Sequence, residues 1–184
     1  TCDGPPGIDC TSLGYADPVG VTCAACAVDT SACAAACGNT VVEPGETCDG
    51  AGSQNFVCNA ACKLELAGPI LNEVYYDPPS FDTAGCYVEI AGPPGLSLTG
   101  YSLEFINGNG GADYATPLAL DGQSIGPSGY FVVRQDAGVV LPPDVNDVID
   151  AKADLQNGPD SLQLLSGATV VDALAYDTFA AGDV

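Results

Sequence analysis

Histidine and tryptophan are absent from this 184-residue chain, and cations are almost so: Lys63, Arg134 and Lys152 stand against 24 acidic residues. Without histidine, the commonest proton shuttle and metal ligand is missing. With three cations and a formal charge of -21, the surface cannot replace the counterions around phosphates, so nucleic acid is excluded as a partner. No stretch reaches the roughly 18 apolar residues of a membrane span. The lack of tryptophan also weakens a sugar-stacking platform, since most of the eight Tyr and five Phe sit at phased core positions.

What the chain does have is cysteine, unevenly placed. Nine of the ten, Cys2, Cys10, Cys23, Cys26, Cys33, Cys37, Cys48, Cys58 and Cys62, precede residue 63, and Cys86 stands apart. That density points to an oxidising, extracellular setting and to disulfides as the main restraint on a segment with no sizeable core. The chain starts at Thr1, within what reads as a cysteine repeat, and is expected to be a piece of a longer secreted protein. Charge falls on both parts: eight acidic groups against Lys63 up to residue 68, and sixteen against Arg134 and Lys152 after it.

Residues 1 to 37 show little periodicity. An alanine-rich stretch from Ala24 to Ala36 is expected to form a turn or two of helix, capped by Asp29, Thr30 or Ser31. Thr47-Cys48-Asp49-Gly50 then repeats Thr1-Cys2-Asp3-Gly4. The run Cys37-Gly38-Asn39-Thr40-Val41-Val42-Glu43-Pro44-Gly45-Glu46-Thr47-Cys48-Asp49-Gly50, with Cys58-Asn59-Ala60-Ala61-Cys62, resembles the cysteine-rich repeats of secreted myxobacterial proteins. Thr40 replaces the glycine usual there. Residues 2 to 33 look like the longer variant, so the resemblance divides the segment into repeats at 1–36 and 37–68 and implies a spacer or stalk. Two other uses of these cysteines stand beside disulfides. Cys23 and Cys26 with Cys33 and Cys37, or with Cys58 and Cys62, offer four thiolates to zinc, and Cys23-Ala24-Ala25-Cys26 has redox-dithiol spacing.

After Pro69 the pattern alternates. Ile70 to Tyr76, Cys86 to Ile90, Tyr101 to Phe105, Tyr130 to Arg134, Ser161 to Leu165 and Thr169 to Tyr176 read as strands, with a hairpin at Ser166-Gly167. The expected core is Val74, Val88, Ile90, Leu103, Phe105, Phe131, Val133, Leu162, Leu164 and Leu174. Six or seven short strands with turn-rich joins predict an antiparallel β-sandwich over 69–184.

Several motifs in this region resemble the lamin tail domain family, in its bacterial secreted form, across 69–177. They are Leu71-Asn72-Glu73-Val74, Tyr87-Val88-Glu89-Ile90, Leu98-Thr99-Gly100-Tyr101, Ile125-Gly126-Pro127-Ser128-Gly129-Tyr130 and Asn157-Gly158-Pro159-Asp160-Ser161-Leu162. That resemblance implies an immunoglobulin-like antiparallel β-sandwich acting as an interaction module with no active site of its own, attached in bacteria to secreted nucleases, phosphatases and surface proteins.

Candidate sites are few. Asp144, Asn146, Asp147 and Asp150 concentrate oxygen ligands and make a weak calcium candidate, against a solvated loop that starts a helix; the loop from Asp49 to Asn55 is weaker still. Glu73, Glu89 and Glu104 lie on neighbouring predicted strands, as paired carboxylates do in glycoside hydrolases, but also as a solvated sheet face does. Cys86 is expected to bridge to the first module rather than remain an inward thiol. A sandwich ending near Tyr176 is expected to leave an open edge there.

These observations predict a non-catalytic extracellular structural, assembly or adhesion segment. Its expected partners are copies of itself or another extracellular protein; calcium and polysaccharide are lesser candidates. The alternatives are an accessory module of a larger secreted hydrolase and a carbohydrate-binding module.

Overall fold

The computed structural model describes residues 7–25, 27–33, 35–53, 55–79 and 85–178. Contacts divide the chain into two compact units, Thr1–Glu65 and Leu66–Val184. Both segments expected as separate cysteine repeats fall in the first unit, apart from the short linker that ends at residue 68.

The cysteine-rich unit has little regular structure. It contains a 3-10 turn at Thr11–Leu13, strands β1 (Thr22–Ala24) and β2 (Ala27–Asp29) paired antiparallel, and strand β3 (Phe56–Cys58), which pairs with β4 (Leu64–Leu66) at the boundary between the units. The helix expected between Ala24 and Ala36 is replaced by β2 and turns. The stretch is too short to nucleate a helix without packing, and the Asp29 carboxylate takes the Ser31 N–H at 2.9 Å, closing a turn instead. Bridges join Cys10 to Cys33, Cys37 to Cys62 and Cys48 to Cys58.

The second unit is a β-sandwich of eight strands, β5 (Ile70–Tyr75), β6 (Tyr87–Ala91), β7 (Tyr101–Asn107), β8 (Asp113–Ala119), β9 (Tyr130–Arg134), β10 (Asn146–Ile149), β11 (Asp160–Ser166) and β12 (Thr169–Tyr176). One sheet has the order β10-β9-β6-β5 and the other β12-β11-β7-β8. All pairs are antiparallel except β9 with β10, which run parallel, a departure from the fully antiparallel expectation. Alternation sends Val88, Ile90, Phe131 and Val133 from the first sheet, and Leu103, Phe105, Leu162 and Leu164 from the second, into one core where all eight are fully buried. Val74 and Leu174 are half-buried against it.

Two strands escaped the sequence pattern. β8 carries Pro117, which argues against a central strand, but here it is an edge strand. β10 covers Asn146–Ile149, where a solvated loop was expected; a short 3-10 turn follows at Ala151–Ala153, with Asp150 as its cap. The parallel pairing depends on Gly126: a Cβ there would sit 2.5 Å from the Asp144 carbonyl oxygen and 2.7 Å from the Asn146 nitrogen.

A bulge between Leu71 and Glu73 in β5 sets the geometry of the first sheet's outer face. Without it, Leu71, Glu73 and Tyr75 would share one face. The extra residue lets Leu71 and Val74 both turn to the core, while Glu73 and Tyr75 face outward opposite Glu89 and Tyr87 of β6.

Candidate functional site

Within the first unit the cysteines are structural. Six form the three bridges, Cys23 is also disulfide-bonded, and Cys2 and Cys26 lie outside the described residues. Cys37, Cys58 and Cys62 place their sulfurs within 4.8 Å of one another, but each belongs to a bridge. Zinc requires thiolates, so it does not fit these paired sulfurs, and the redox-dithiol reading of Cys23 and Cys26 falls on Cys26, outside the described residues. Cys86 departs from its expected bridge. It is a fully buried thiol in the sandwich core, with Sγ 3.4 Å from the Tyr76 carbonyl oxygen.

Glu43 was not singled out by sequence, although it holds the unit together. It is 3% exposed, and its two carboxylate oxygens accept the Ala16 N–H at 2.8 Å and the Ala36 N–H at 2.6 Å, with the Asn39 amide at 3.1 Å. Those backbone donors, Ala16 first, hold its carboxyl below the usual range. Nearby, Asp49 accepts the N–H groups of Gly38 and Asn39, a structural use of the loop weighed as a second calcium candidate.

The main calcium candidate does not assemble. Asp147 pairs with Arg134, its carboxylate 2.7 Å from Nε; Asn146 donates to Ser124; Asp150 accepts the Lys152 N–H at 2.9 Å; Asp144 acts through its carbonyl on Ser128. Strand alternation in β10 turns Asn146 and Asp147 to opposite faces, and none of the four belongs to a convergent ligand group among the described residues.

Carboxylates also separate by sheet. Glu104 lies on β7, opposite Gln163, whereas Glu73 and Glu89 face each other across β5 and β6. Glu89 accepts from the Asn72 side chain at 2.7 Å, and Glu73 accepts from the Tyr87 hydroxyl at 2.8 Å. The Tyr87 phenol is pushed up to about 12, first by burial and then by its bond to Glu73. Its ring stacks on Tyr75 with centroids 5.4 Å apart.

At one end of the core, Asp160 is 2% exposed; Oδ1 accepts the Gly108 N–H at 3.1 Å. Burial raises its carboxyl pKa. The hydroxyls of Tyr114 and Tyr176 lie 3.4 Å apart, and Tyr176 stacks on Tyr76 at 4.6 Å.

The sandwich edges differ. β5 and β12 lie side by side, and Asp172 of β12 takes the Leu71 N–H at 2.7 Å, so the edge expected to be open near Tyr176 is partly closed. β8 pairs only with β7, and its outer side borders a groove of about 580 Å³ lined by Tyr114, Ala115, Lys152, Leu155 and Gln156.

No protein-family profile matches the chain, and no curated protein or solved structure matches it. Among the described residues no helix is long and apolar enough to cross a membrane.

Proposed function

We propose that the chain is a non-catalytic extracellular assembly or adhesion segment, a lamin-tail-like sandwich preceded by a disulfide-held spacer, that works by pairing with other chains. The observation that carries this reading is the edge strand β8, which among the described residues has a strand neighbour on one side only, with the Ala151–Ala153 turn and a groove beside it. Main-chain pairing along such an edge supplies affinity without surface charge complementarity. Two features tune it. Pro117 and register shifts on both sides of Ala115 interrupt β8, so the edge is receptive in short stretches rather than along its whole length. Lys152, whose ammonium reaches the Pro117 carbonyl at 3.3 Å, covers part of the remainder.

Like-charged copies repel, so self-association through β8 should strengthen as salt or calcium screens the -21 charge. Sedimentation across protein and salt concentrations tests this, with Thr116→Lys as the blocking variant, since an edge lysine opposes strand addition. Association that rises with salt and is lost in the variant supports the proposal. A monomer under all conditions, or association untouched by the substitution, sinks it.

A further inference from the structure

On the outer face of the first sheet, away from β8, a groove of about 420 Å³ is lined by Tyr75, Pro78, Pro79, Tyr87, Asp136 and Val139. Its size falls within the range of small-ligand pockets, about 300–1,000 Å³. Most of the wall is apolar, and the acidic groups gather at its margin. Glu73 holds the Tyr87 hydroxyl, Glu89 faces Glu73 across the strand pair, and Asp136 lines the groove itself. Two carboxylates directly opposite on a sheet repel each other. Among the described residues the side-chain cations bond elsewhere: Arg134 to Asp147 and the Val139 carbonyl, Lys152 to the Pro117 carbonyl and Lys63 to the Gly45 carbonyl.

We propose that this groove receives an arginine side chain from a basic segment of another protein, with its guanidinium on the Tyr75–Tyr87 pair and its stem along Pro78, Pro79 and Val139. Charge selects the occupant. The -21 chain repels anionic polymers and attracts cationic ones, and the planar guanidinium, more weakly hydrated than an ammonium, stacks on aromatic rings while its N–H groups reach carboxylates. The aliphatic stem suits the proline and valine wall. This contact should weaken with salt, whereas pairing through β8 should strengthen, so either reading can fail without the other.

The test uses the full chain with ring-labelled tyrosine and, as probe, an acetylated and amidated Gly-Arg-Gly-Arg-Gly peptide followed by NMR. Tyr75 and Tyr87 resonances should move together on titration while Tyr176, buried in the core, stays still. Tyr87→Ala should weaken binding about tenfold or more, and Glu104→Gln, which removes one charge from the other sheet, less than about twofold. Tyr75→Ala serves as the second variant, with a dispersed spectrum as the check that each folds. Equal losses from Tyr87→Ala and Glu104→Gln would reduce the effect to general charge attraction and overturn the site. So would a neutral cellohexaose that moves the same resonances while the peptide does not.

Discussion

Phe131 and Phe105 occupy the centre of the sandwich, each fully buried and contributed by opposite sheets. Phe105 was legible from alternation, flanked by Glu104 and the half-buried Ile106, whereas Phe131 sits in an apolar run whose next residue, Val132, is also buried. Replacing Phe131 by alanine removes that ring and leaves a cavity between the sheets, so urea unfolding should show a loss of about 3–5 kcal/mol. A loss under about 1 kcal/mol would mean that the ring contributes little to the packing. Asp160 shows what residue patterns miss. It precedes a clear strand and reads as a turn residue, yet the fold buries it where Gly108 and the tyrosine cluster converge. Nothing local to the sequence signals burial caused by a partner 52 residues away.

Elements were legible where the two faces of a strand differ in polarity. β6, β7 and β11 up to Leu164 alternate, β5 and β12 alternate on either side of a bulge, and β9 is recognisable as an apolar run. β8 was hidden by Pro117, and β10 by acidic and amide residues that suit a loop as well as an edge. The candidate groove was hidden for a different reason: its tyrosines are plain in the sequence, but only the Asn72 bulge decides that Tyr75 faces outward beside Tyr87. In the cysteine unit the joining device is Glu43, which lies in the second cysteine segment and binds the backbone of the first through Ala16 and Ala36. Its carboxyl is held low when folded, so its stabilising contribution is present above the unfolded-state pKa and is lost as pH falls through the folded one. Protection factors at the Ala16 and Ala36 amides, which correct for the intrinsic slowing of exchange in acid, should therefore fall on acidification. Glu43→Gln should show lower protection factors at neutral pH and little further change with acid. Equal pH responses in the two proteins would remove Glu43 as the titrating clamp.

Across the whole molecule the two units are stabilised by different means. The buried apolar residues described in the first unit are Cys10 and Cys62, so its core is made of its cross-links; in the second, buried side chains from Leu71 to Tyr176 form a continuous cluster across two sheets. A small segment without a sizeable apolar core folds because bridges limit its unfolded ensemble, and their removal typically costs about 2–5 kcal/mol. The sandwich needs no such help. Reduction under native conditions should thus abolish amide protection between Cys10 and Cys62, while leaving protection on β6, β7, β9 and β11 unchanged. Intact mass before and after reduction should rise by about two mass units per bridge, accounting at least for Cys10–Cys33, Cys37–Cys62 and Cys48–Cys58. If reduction left the first unit protected, its stability would have to come from the Glu43 contacts and short strands alone, and the division into a cross-linked unit and a packed one would fail.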